Sequence, residues 1–86
     1  VEVVTGASRR ATVLEVRAHD APGLLHRIGT AIAGTGTDIS AARVSTLGSE
    51  VVDVFYLVDR HGQPLDDALA QAVADAVSDA LADEPE

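Results

Sequence analysis

Eighty-six residues with 47% apolar content make a single small domain, apolar enough for a packed core and too apolar for a disordered chain. A formal net charge of −8, from fourteen acids against six Arg and no Lys, argues against nucleic acid or anionic membrane as a partner, because phosphate binding needs clustered cations. The absence of Cys removes disulfides and thiolate chemistry and fits a cytoplasmic setting, and no apolar run approaches the ~20 residues that span a bilayer. The charge is uneven: residues 1–64 carry seven acids and all six Arg, residues 65–86 seven acids and no base. A start at Val1 rather than Met leads us to expect a piece of a longer protein.

In chain order, Val1–Val4 is short and β-branched, and Thr5-Gly6-Ala7-Ser8 interrupts it with turn formers. Residues 12–18 alternate, with Thr12, Leu14, Val16 and Ala18 on one face and Glu15 and Arg17 on the other, the period of a half-buried strand. A hairpin is expected to pair residues 1–4 with this strand. Asp20-Ala21-Pro22-Gly23 then breaks the strand and opens a helix, with Asp20 as the candidate cap. Leu24, Leu25, Ile28, Ala31 and Ile32 make its apolar stripe, and Gly34 and Gly36 end it. A strand over 38–47 meets a Gly48-Ser49 turn and returns as a strand over 50–58, which is apolar on both faces and so demands cover beyond the chain's own helices. Residues 59–64 read as a loop. Asp66 or Asp67 caps a last helix whose expected buried face is Leu69, Val73, Ala76, Val77, Ala80 and Leu81, with Asp75, Asp79 and Asp83 outside. The acidic tail 83–86 reads as frayed and as a protein C-terminus.

The order ββαββα predicts an α+β, ferredoxin-like sandwich, a four-stranded antiparallel sheet with two helices on one face. The ordinary form of that fold has its fourth strand after the last helix. Here the N-terminal strand is expected to take that edge, a permuted order. The whole chain, 1–86, is taken as one domain with its core over about 12–82.

The chemically informative segment is His19-Asp20-Ala21-Pro22-Gly23-Leu24-Leu25. A strand running through a Pro-Gly turn into a helix leaves the first helical N–H groups without intrahelical acceptors, and these favour a carboxylate. Gly23 carries no side chain to hold a ligand off the backbone, and Gly23→Val is expected to block that approach with the fold intact, provided its φ is negative. A capped helix start with no ligand reads equally well from these residues alone. The His19-Asp20 pair, of a kind used as metal ligands in phosphohydrolases, has no further His-rich helix beside it. His26 reads as a surface group on the first helix, and His61 as a loop residue. Ser40, Ser45 and Thr46 have no arranged His–Asp partner for nucleophilic catalysis. Asp53 reads as an inward polar group or an interface residue. No catalytic residue, metal site or cofactor is expected.

The run Asp20-Ala-Pro-Gly-Leu-Leu, then Gly36-Thr-Asp38-Ile39, Ala42-Arg-Val-Ser-Thr46 and Val52-Asp53-Val-Phe55-Tyr56-Leu-Val-Asp59 resembles the ACT domain, over about residues 12–82. It is most similar to the C-terminal ACT domain of bacterial PII uridylyltransferase/uridylyl-removing enzymes. The resemblance implies an amino-acid ligand, glutamine first, at the turn from strand to helix and against a second ACT unit or a homodimer partner. It also implies the PII protein as a partner of the parent nucleotidyltransferase, uridylylating or adenylylating, in nitrogen regulation. By resemblance the ligand-binding positions are Asp20, Gly23, Leu24, Leu25, Asp38 and Ile39. Ala21 stands where Arg is common and Asp38 where Asn is frequent. Two other readings stay open: an ACT domain from another amino-acid-controlled enzyme, and a dimerisation module that binds nothing.

Overall fold

The computed structural model describes residues 1–4, 10–19 and 22–82. The elements follow the expected order: β1 (Glu2–Val4), β2 (Thr12–His19), α1 (Leu24–Ala33), β3 (Asp38–Leu47), β4 (Glu50–Val58) and α2 (Asp67–Ala82). All four strands form one antiparallel sheet in the order β1-β2-β4-β3. β1 takes the edge beside β2, with Val3 opposite Leu14, so the permuted arrangement holds. Gly48, at φ 65, makes the tight β3–β4 turn that sets Thr46 opposite Val51. A bulge falls between Ile39 and Ala41.

One face of the sheet carries the core. Leu14 and Val16 of β2 and Val51, Phe55 and Leu57 of β4 pack with Leu24, Ile28 and Ile32 of α1 and Ala70, Val73, Ala74 and Val77 of α2. Leu14, Val16, Ile28, Ile32, Val73 and Val77 are at most 1% exposed. Asp53 is buried among them in register, between Val16 on β2 and Val44 on β3, which establishes its inward orientation. The two helices are tied end to side, since the Arg27 guanidinium donates to the Ala80 carbonyl at 2.6 Å, near an α2 C-terminus that has no basic residue in its last turn.

Three expectations need correction. Asp20 lies outside the described residues, and the N-cap position belongs to Gly23, whose carbonyl accepts the first helical bond from Arg27 N–H at 3.0 Å. Leu25 is 49% exposed, because the α1 stripe facing the sheet is the narrower set Leu24, Ile28 and Ile32. On α2 the buried alanines are Ala70 and Ala74, while Ala76 and Ala80 are half-buried. Val73 and Val77 fix the helix face, and in an Ala-rich helix neither side of that stripe is marked by bulk. α2 begins as expected at an aspartate: Asp66 Oδ1 accepts Leu69 N–H at 2.7 Å.

Candidate functional site

β2 delivers the chain to the start of α1 at the same end of the sheet where the β3–β4 hairpin closes. The result is a cleft of about 230 Å³ lined by Gly23, Leu24, Leu25, His26, Val44, Thr46 and Val51. Drug-sized ligands occupy pockets of ~300–1,000 Å³, so this volume suits something smaller. Val51 and Leu24 are buried at its base, and Leu25, His26, Val44 and Thr46 are exposed around it.

The polar chemistry of the cleft comes from backbone. Helical hydrogen bonding begins with Arg27 N–H on the Gly23 carbonyl, so the N–H groups of Leu24, Leu25 and His26 have no intrahelical acceptor. No acidic side chain stands in the first turn of α1 to offset the positive end of the helix dipole. Gly23 holds φ 75, a left-handed conformation that costs an ordinary L-residue about 1–2 kcal/mol. Space itself is no constraint, because a Cβ at Gly23 would meet nothing within 4 Å. The condition for a harmless Gly23→Val therefore fails, and the glycine is required by backbone conformation rather than by crowding.

The expected ligand residues divide into two groups. Gly23, Leu24 and Leu25 line the cleft together. Asp38 and Ile39 sit at the other end of β3, where Asp38 is opposite Val58, whereas the cleft's Thr46 is opposite Val51. At about 3.3 Å per strand residue the two ends are roughly 25 Å apart. Asp20, the third element of the expected set, lies outside the described residues. His26, Val44, Thr46 and Val51 were missed from the sequence. The signal for the strand residues was the Gly48-Ser49 hairpin, which fixes which β3 residues stand at the end of the sheet near the helix start.

β3 itself is bare. Every one of its ten residues is exposed, including Ile39 at 41% and Val44 at 50%, although their register partners Leu57 and Asp53 are 1% exposed. The helices cover β2 and β4 and stop short of this edge.

The ACT domain family model matches residues 12–78. The chain is 54% identical over 65 residues to the bifunctional uridylyltransferase/uridylyl-removing enzyme of Streptomyces coelicolor, covering 76% of this chain and 8% of that protein. It is 45% identical over 67 residues to the enzyme of the same name from Pseudomonas fluorescens, covering 78% of this chain and 7% of that one. The chain thus spans less than a tenth of the length of these relatives. A crystal structure of an unknown protein from Galdieria sulphuraria superposes with a TM-score of 0.65 at 20% identity, over 80% of this chain and 37% of that one, a likeness of fold alone. The four-stranded sheet with two helices on one face, the strand-to-helix cleft and the match over residues 12–78 agree: this chain belongs to the ACT domain family.

Proposed function

We propose that the chain is the amino-acid-sensing module of a uridylyltransferase/uridylyl-removing enzyme that modifies PII in nitrogen regulation, with glutamine as the favoured ligand. The observation that carries this reading is a cleft with three helical N–H groups that have no intrahelical acceptor, opening beside a bare strand edge. A free amino acid needs N–H donors for its carboxylate and an oxygen acceptor for its ammonium. Leu24, Leu25 and His26 supply the first.

The second is supplied by another ACT unit. Antiparallel pairing of two β3 strands centred near Ala42 brings Asp38 of one unit beside Thr46 of the other, at the mouth of its cleft. The division of the site residues between the two ends of β3 then becomes two shared sites related by symmetry. Such pairing also covers an edge whose exposed backbone and apolar residues otherwise invite non-specific association. Ligand held between two units favours their paired state and biases the distant catalytic domains through differential affinity for two conformations.

Calorimetric titration of the chain against the twenty amino acids tests this reading, alone and joined to a second ACT domain. Asp38→Lys is expected to weaken glutamine binding about 10- to 100-fold, the loss of a charge-assisted hydrogen bond worth ~1–3 kcal/mol. Thr46→Arg fills the cleft and abolishes binding, while Asp75→Lys and Asp79→Lys on the exposed face of α2 leave it unchanged. Tight binding of a different amino acid points to another amino-acid-controlled enzyme. No binding in either form leaves a dimerisation module and overturns the proposal.

A further inference from the structure

A second hollow, of about 370 Å³, shares no lining residue with the cleft at the start of α1. Its lining includes Arg10, Ser40, Ala41, Ala42, Arg43 and Tyr56. Tyr56 lies between Phe55 and Leu57, both core residues, so it and its register partner Ala41 stand on the sheet face turned away from the helices. The bulge in β3 shapes this region. Ile39 is opposite Leu57 and Ala41 opposite Tyr56, which leaves Ser40 as the extra residue with no cross-strand partner. An insertion of this kind re-aims the side chains beside it.

The hollow is a local exception to the charge of the chain. The formal net charge is −8 with only six Arg, yet two of those Arg line this one concavity and no acid does. They come from either side of β4, Arg10 from just before β2 and Arg43 from β3. Arg43 makes no ion pair among the described residues. Two acids stand nearest on the same face. Glu15 shares the row of Arg43 across Val54 and is engaged with Arg17 at 2.8 Å, and Asp38 lies beyond the bulge opposite Val58.

We propose that this hollow binds the phosphoryl group of a small phosphate monoester. Two guanidinium groups balance a dianion, and their forked N–H donors match phosphoryl oxygens better than a point charge would. The hydroxyls of Ser40 and Tyr56 add neutral donors. The half-buried Tyr56 ring and the methyl groups of Ala41 and Ala42 give the organic part of the ester an apolar wall. The overall negative charge excludes an extended phosphate backbone, which needs many cations in line, but not a single phosphoryl group held by two. The site lies on the sheet face rather than at its edge, so it requires neither the amino-acid reading nor pairing of β3.

Titration of the 86-residue chain with ribose 5-phosphate at fixed ionic strength tests the proposal. Tyr56 is the one tyrosine and there is no Trp, so tyrosine emission reports on the hollow itself. A saturable change is expected with a dissociation constant below about 1 mM, and ribose without the phosphate gives none. Arg43→Gln and Arg10→Gln each weaken binding at least about tenfold, with circular dichroism confirming the fold, and Arg43→Lys falls between because an ammonium lacks the fork. Ala72→Glu, on the exposed surface of α2, lowers the net charge equally and leaves the affinity within about twofold. No saturable response up to about 10 mM overturns the proposal. So does an equal response to ribose, or an equal loss from Ala72→Glu and Arg43→Gln. Inorganic phosphate binding as tightly as the ester also overturns it, leaving a site for adventitious anions.

Discussion

β4 and β3 are neighbours of nine and ten residues joined by one tight turn, yet they live in different environments. On its inward face β4 buries Val51, Asp53, Phe55 and Leu57 under both helices; β3 exposes all ten residues. Position explains the difference better than composition does. β4 lies between β2 and β3, and the helices, each only one layer wide, cover the sheet's centre and leave its β3 edge overhanging. Ile39, Val44 and Leu47 thus leave an exposed apolar edge on β3, the edge that the proposed pairing covers, whereas β4 makes the fold itself.

The largest effect expected from that contrast is on stability. Phe55→Ala removes a ring that is 3% exposed and costs about 3–5 kcal/mol, enough in a chain this short to bring urea unfolding close to zero denaturant. Val44→Lys, one strand away, changes the unfolding free energy by less than about 0.5 kcal/mol while removing edge pairing, which sedimentation reads directly. Comparable losses at the two positions would mean that β3 is supported by its own chain. A smaller effect belongs to the helices over the β4 side: Asp66→Ala removes the acceptor of Leu69 N–H and costs about 1 kcal/mol by thermal melting.

The smallest effect concerns the loop after β4. Asp59 accepts N–H bonds from Gln63 at 3.0 Å and His61 at 2.8 Å, and these, Gln63 foremost, hold its carboxyl below the usual range. A lowered folded value means that the stabilisation is present above the ordinary carboxylate range and is lost as pH falls through the folded value. The protection of the His61 and Gln63 amides, measured against their intrinsic exchange rates at each pH, is therefore expected to fall as Asp59 is protonated, and Asp59→Asn to flatten that dependence.

The fold was largely legible because its punctuation is strong. Gly48-Ser49 set the ends of both β3 and β4, and the alternation from Thr12 to Ala18 identified β2. The α2 face slipped because Ala70, Ala74, Ala76 and Ala80 are indistinguishable in bulk, so packing rather than periodicity chooses among them. The α1 start was misread because Asp20 has the chemistry of a cap, while the backbone turn is made at Gly23. Half of the cleft was legible, since a helix start announces its own N–H donors. Val44 and Thr46 were not, because their part depends on strand register, and the proposed site brings in the remote Asp38 only from a second unit.

That last point is the central claim, and ligand-induced amide shifts test it most directly. Glutamine is titrated into the isotopically labelled chain at a concentration where it pairs. The account predicts that the N–H signals of Leu24, Leu25 and His26 shift together with those of Asp38 and Ile39, saturating at one ligand per chain. Shifts confined to residues elsewhere, with both ends of β3 and the start of α1 unmoved, would contradict it.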